Sequence, residues 1–141
     1  MSDTKTILFA CVHNAGRSQM AAAFFNALAN PAAASAISAG TQPAEHVHSE
    51  VIAVMREAGI DLGRAIPRRL TDNLADGTNL LITMGCGEAC PIVPGARRQD
   101  WPLPDPKGKN IEAVRQIRDE IRSKVEKLIA TEHWERPENP T

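Results

Sequence analysis

Apolar and polar positions alternate along this chain in two rhythms. The stretch "TKTILFAC", Thr4 to Cys11, is an apolar run that closes on a cysteine and reads as a buried strand. "RSQMAAAFFNALAN", Arg17 to Asn30, reads as an alanine-rich helix that stops before Pro31, because the residue ahead of a proline is pushed out of the helical region. "AISAGT", Ala36 to Thr41, is a second short strand. "HSEVIAVMREAGI" is a helix with Val51, Met55 and Ala58 on one face, ending at Gly59. Asn79 to Met84 is apolar nearly throughout, as a central strand covered on both faces would be. The clearest helix is "KNIEAVRQIRDEIRSKVEKLIA": Ile111, Val114, Ile117, Ile121, Val125 and Leu128 recur at spacings of three and four behind Asn110, a suitable N-cap. Strands alternating with helices predict an α/β fold, a parallel sheet flanked by helices. No repeat or linker interrupts the pattern, so residues 1–134 are read as one domain, and the polar, proline-rich tail 135–141 is expected to fray.

Composition narrows the function classes. The 141 residues, 43% hydrophobic, can bury one sizeable core. With 16 basic against 17 acidic side chains there is no global field to gather nucleic acid or an anionic membrane, so any anion binding must be local. The run Ile7 to Val12 is shorter than a secretory core and no segment reaches the length of a membrane span, which leads to an expected cytoplasmic location. An odd count of three cysteines in such a chain does not suit a disulfide framework and turns attention to thiol chemistry.

Cys11 stands at the carboxyl end of the first strand, where ligands of open parallel sheets gather. Val12, His13, Asn14, Ala15 and Gly16 separate it from Arg17 and Ser18 at the start of the helix. Gly16 lets the backbone curl so that successive N–H groups can converge on a tetrahedral oxyanion. Arg17 offers a planar fork for two of its oxygens, and the helix dipole adds partial positive charge. A cysteine in this setting is favoured as a thiolate nucleophile, and Ser18 can hydrogen-bond the sulfur. The simpler alternative, a buried structural cysteine beside a surface arginine, does not account for the strand, glycine, arginine, serine and helix occurring in this order.

"CVHNAGRSQM", followed by "TMGCGEACP" and "LPDPKGK", resembles the arsenate reductases built on the low-molecular-weight protein tyrosine phosphatase fold. The resemblance runs from Ile7 to about Leu128 and implies a four-stranded parallel sheet flanked by helices, with the cysteine loop binding arsenate, for which phosphate or sulfate would be analogues. Cys11 and Arg17 alone do not separate a phosphatase from a reductase. A phosphatase hydrolyses its cysteinyl intermediate with water. Reducing As(V) to As(III) takes two electrons, which a thiol pair supplies by becoming a disulfide. Cys86 and Cys90 are such a pair; on a helical turn their Cα atoms would lie roughly 6 Å apart, within disulfide range.

By that resemblance Cys11 attacks arsenate, Cys86 attacks the Cys11 sulfur and expels arsenite, and Cys90 then frees Cys11. A Cys86–Cys90 disulfide is left for an external thiol donor, either thioredoxin or a mycothiol or glutaredoxin system. Asp105 matches the family's general acid, its backbone held between Pro104 and Pro106. The chain has no tyrosine, so it lacks the aromatic wall with which the family's tyrosine phosphatases grip a phenyl ring, and a small inorganic anion needs none. No metal is expected: His46 and His48 have no ligand spacing with the cysteine pair, and the carboxylate with which some relatives bind potassium is replaced by Ala21, Ala22 and Ala23. Arg68, Arg69, Arg97 and Arg98 read as solvated surface. The leading expectation is therefore a monomeric arsenate reductase. The alternatives are a low-molecular-weight phosphatase acting on phosphate esters and, third, a module that retains As(III) on its thiols.

Overall fold

The computed structural model describes residues 4–85 and 93–137. β1 (Lys5–Cys11), β2 (Ala34–Gly40), β3 (Leu80–Thr83) and β4 (Arg97–Asp100) form one sheet in the order β2-β1-β3-β4, every pair parallel. The chain steps from β1 to β2 on one side and returns to lay β3 on the other. The sheet therefore has its topological switch point at the carboxyl ends of β1 and β3, where a crevice opens. Cys11 is the last residue of β1, and the Met84 N–H bonds the Ala10 carbonyl across that point at 2.8 Å.

Strand alternation divides the core. Ile7, Phe9 and Cys11 of β1, with Leu80, Ile82 and Met84, face the three longer helices α1 (Arg17–Leu28), α2 (Ser49–Glu57) and α4 (Ile111–Glu132). Leu8, Ala10, Ala39 and Leu81 face the other way, against Ala75 and Leu74 of the one-turn helix α3 (Asp72–Ala75) and against Leu70 and Val93. Phe9 lies under Phe25 and Trp101, with ring centroids 6.2 and 5.6 Å away, so Trp101 belongs to the core and is no lid. Asn110 caps α4 by accepting from the Ala113 N–H, and Val114, Ile117, Ile121, Val125 and Leu128 are buried as their spacing predicts. Ile111, counted on the same face, is 38% exposed, because the first turn overhangs the core.

β4 was not visible in the apolar pattern. Its residues, Arg97 to Asp100, are an edge strand with side chains mostly in solvent, and charges on such a strand discourage pairing with other chains. The Thr83 hydroxyl donates to Asp100 across the β3–β4 pair and holds that carboxyl below the usual range. Of the segment 135–141 expected to fray, Glu135 bridges Ala29 and Arg136 donates to the Asn26 carbonyl, while 138–141 lie outside the described residues. Among the described residues no helix is long and apolar enough to cross a membrane.

A solvent-facing clasp joins α2 to α4. Glu57 accepts a forked pair from Arg115 and a further bond from Arg118, which also donates to the Val54 carbonyl. The Arg115 hydrogen bond, with help from Arg118, lowers the Glu57 carboxyl from about 4.5 to about 2. A depressed carboxylate contributes stability that is present above its ordinary value and lost as pH falls through the folded one. Thermal melts of the wild type and of Glu57→Gln should therefore differ at pH 6 and converge as pH falls from 4.5 toward 2. The gap should shrink in high salt, because the pair is exposed. A gap that widens in acid contradicts this reading.

Candidate active site

The loop from Val12 to Gly16 is held from outside by its carbonyls. The Cys11, Val12, His13 and Ala15 carbonyls accept from the N–H groups of Thr41, Gln42, Ala44 and His48 at 2.8–3.2 Å. In a trans peptide the next N–H points opposite to the carbonyl. The N–H groups of Val12, His13, Asn14 and Gly16 are thereby turned inward, the arrangement that cradles an anion. Helix α1 starts behind this loop with Gly16 at its N-cap, so no capping side chain and no first-turn carboxylate answers its N-terminal partial charge.

Asn14 is the keystone. It is fully buried and left-handed, at φ 51°, a conformation asparagine tolerates better than most residues. Its Oδ1 accepts from the Arg68 backbone N–H at 3.0 Å and from Gln19 Nε2 at 3.1 Å, which settles the orientation of the amide. Its Nδ2 then donates to Ser18 Oγ at 2.7 Å, and Ser18 Oγ lies 2.9 Å from Cys11 Sγ. With the Ser18 oxygen accepting from Asn14, its proton is free to point at the sulfur. The Asn14 N–H also donates to Cys11 Sγ, at 3.3 Å. Two donors therefore converge on a cysteine that is 2% exposed, an environment suited to a sulfur anion.

Arg17 is buried, contrary to the reading of it as a surface cation. Its Nη1 donates to the Leu103 carbonyl at 2.9 Å and its Nη2 lies 3.8 Å from Asp105 Oδ2, so the two predicted side chains meet at the rim. Asp105 is about half exposed, and its Oδ1 accepts from the Lys107 N–H. Gly85, at φ 99°, lies against the guanidinium: a Cβ there would fall 2.3 Å from Arg17 Nη1. That glycine directly precedes Cys86 in sequence. Cys86 and Cys90 themselves lie outside the described residues.

Gly16 has a second task besides letting the backbone curl. Its φ is −143° and its ψ −92°, not left-handed; the left-handed position of the loop is Asn14. Gly16 is required for space, because a Cβ there would sit 2.6 Å from Pro106 Cγ and 3.7 Å from His48 Cδ2. His48, which read as an exposed loop residue, therefore flanks the cup, while His46 is exposed. Gly40, Gln19 and the part that the Asn14 side chain plays in holding the loop went unremarked. A methyl at Gly40 would meet the Val12 carbonyl oxygen at 2.5 Å and the Asn14 nitrogen at 2.9 Å, both backbone atoms that cannot step aside. Gly40→Ala is expected to destabilise the fold by about 1–3 kcal/mol and to weaken phosphate binding, read by thermal melting and calorimetry. Unchanged phosphate affinity would show that the loop is not set by this contact.

Comparison with known proteins follows the same geometry. The family model described as low molecular weight phosphotyrosine protein phosphatase matches residues 6–137. A Synechocystis protein named glutaredoxin arsenate reductase is 34% identical over 129 residues, covering 89% of this chain and 97% of its own. Among solved structures, the thioredoxin-dependent arsenate reductase of Corynebacterium glutamicum superposes with a TM-score of 0.80 at 36% identity. That match covers 92% of this chain, which spans only 62% of the Corynebacterium one. The arsenate reductase of Archaeoglobus fulgidus superposes with a TM-score of 0.77 at 33% identity, covering 88% of this chain and 98% of its own.

Proposed function

Because the chain belongs to the low-molecular-weight phosphotyrosine protein phosphatase family, we propose that its anion cup serves the reduction of arsenate to arsenite, with Cys11 as nucleophile. One observation carries this reading. The Cys11 sulfur receives two hydrogen-bond donors at the floor of a loop whose Val12, His13 and Ala15 carbonyls are engaged outside, with the buried Arg17 at its rim. Such a site pairs a nucleophile with oriented donors for the oxygens of a tetrahedral anion. The choice of arsenate is supported by relatives named as arsenate reductases that align over nearly the whole chain, and by the cysteine pair Cys86 and Cys90.

The inward N–H groups of Val12, His13, Asn14 and Gly16, together with Ala15, Arg17 and Ser18 of the same loop and helix start, hold arsenate, and the Arg17 guanidinium clamps two oxygens. Cys11 Sγ forms a bond to arsenic, and one oxygen departs as water after Asp105 hands it a proton. General-acid assistance of that kind contributes about 10²–10⁴-fold. Cys86 then attacks Cys11 Sγ. The electrons of the S–As bond pass to arsenic, which leaves as arsenite, and a Cys11–Cys86 disulfide forms. Cys90 attacks Cys86, the Cys11 thiol is restored, and an external thiol donor reduces the Cys86–Cys90 disulfide. The site of action is the reducing cytoplasm and the working unit is the monomer. The donor is a protein of the thioredoxin or glutaredoxin class, as the names of the Corynebacterium and Synechocystis relatives suggest.

The test is arsenate-dependent NADPH oxidation measured with thioredoxin, glutaredoxin and mycothiol systems in parallel. One of the protein systems is expected to sustain turnover. Hydrolysis of phosphate esters without any reductant, and no NADPH consumption, would assign the chain to the phosphatases. Stoichiometric retention of arsenite without NADPH consumption would assign it as a binding module.

A further inference from the structure

We propose that the loop from Gly63 to Arg69, beside the cup at the free edge of β2, is the docking surface for the reducing protein, a thiol–disulfide partner with net negative charge around its own cysteine pair. This rests on the reading that the oxidised enzyme is reduced by a protein. The loop reads Gly63, Arg64, Ala65, Ile66, Pro67, Arg68, Arg69. Ile66 is 75% exposed, far more than any other large hydrophobic side chain among the described residues. Arg64, Arg68 and Arg69 around it are exposed. None of the three has a carboxylate within ion-pair distance among the described residues, a feature shared with Arg56 and Arg136, whereas Arg17, Arg97, Arg98, Arg115, Arg118 and Arg122 each have one. The nearby carboxylate of Asp61 is turned onto the Gly63 N–H, and Arg69 reaches only the Thr41 carbonyl. In a chain whose total charge is −1, this is a local positive surface with an apolar centre.

The surface is held in shape before any partner arrives. Leu62 and Pro67 are buried, the Ala65 N–H bonds the Leu62 carbonyl, and Gly40 exchanges hydrogen bonds with the Arg68 carbonyl and the Leu70 N–H. A preorganised loop presenting arginines around one apolar anchor loses little freedom on binding and matches the composition of interface hot spots. Its position suits the chemistry. The Arg68 N–H bonds Asn14 Oδ1, and the Asn14 N–H bonds Cys11 Sγ, which puts the loop on the order of 10 Å from the sulfur along this path. Leu70, directly after the loop, lines a cavity of about 590 Å³ together with Val93 and Pro94. Val93 is the third residue after Cys90. The loop that carries Ile66 therefore adjoins the cup through Arg68 and leads, through Leu70, to the cavity lined by Val93. Opposite charge would speed the encounter and fix its orientation.

The experiment uses the full chain with Arg64→Glu, Ile66→Ser and the double variant; neither side chain makes a hydrogen bond or ion pair among the described residues. Lys127→Glu on α4 is the charge-matched control. Arsenate reduction is followed against increasing thioredoxin or glutaredoxin, and separately with dithiothreitol as the only reductant. The double variant is expected to raise the KM for the protein donor about tenfold or more and to weaken its salt dependence. The kcat at saturating donor, the dithiothreitol-driven rate and the melting temperature should stay at wild-type levels. An unchanged KM, or an equal rise in the control, overturns the proposal while leaving the reductase reading intact. Turnover with dithiothreitol but with neither protein overturns both the docking surface and the protein donor. No arsenate turnover under any reductant overturns the reductase reading, and the docking proposal with it.

Discussion

Replacing Cys11 by serine is expected to lower arsenate turnover by on the order of 10⁴-fold or more, with the melting temperature nearly unchanged. The size of the loss follows from the chemistry assigned to the sulfur. A serine hydroxyl is held far more firmly protonated than a thiol at neutral pH, and its oxygen can neither bond arsenic and then release it as arsenite nor enter a disulfide. The fold should tolerate the change. Ser18 Oγ and the Asn14 N–H, which lie 2.9 and 3.3 Å from the sulfur, can partner a hydroxyl as well. Phosphate binding, read by calorimetry, should stay within about tenfold of wild type, since the loop N–H groups and Arg17 remain in place. Retention of a tenth of the activity or more would show that Cys11 is not the attacking group.

Cys86→Ser carries the second large effect and separates reduction from hydrolysis. Arsenate turnover should vanish, because the thiol assigned to attack Cys11 Sγ and release the arsenic is gone. Any hydrolysis of p-nitrophenyl phosphate should survive within about threefold, because a phosphocysteine needs only the loop, Arg17, Asp105 and water. The described structure supplies the neighbourhood: β1 and β3 are parallel neighbours, and Gly85 lies against the Arg17 guanidinium immediately before Cys86 in sequence. Loss of neither activity would move the assignment to a phosphatase.

How much of this was legible in the sequence depends on what each element buries. β1, β3 and α4 carry their apolar periodicity because one or both of their faces are covered, and they lie within a few residues of where the pattern put them. β4 was invisible for the opposite reason: Arg97 to Asp100 bury almost nothing and are held by pairing with β3 alone. That Cys11 ends β1 and Arg17 opens α1 was readable because a strand end, a glycine and a helix start leave a local trace. The inner support of the cup was not. The bond of Asn14 to the Arg68 backbone and the close approach of Gly40 to Val12 join segments far apart in the chain, so no spacing rule announces them. Asparagine at the one non-glycine left-handed position of the loop was the available signal, and it was overshadowed by Gly16.

The most direct test of the central claim uses the reduced enzyme alone. With oxygen excluded, no donor present and excess arsenate, the account predicts one arsenite released per chain and free thiols falling from three to one, since two electrons leave as one disulfide forms. No arsenite, with all three thiols still titratable, would contradict it.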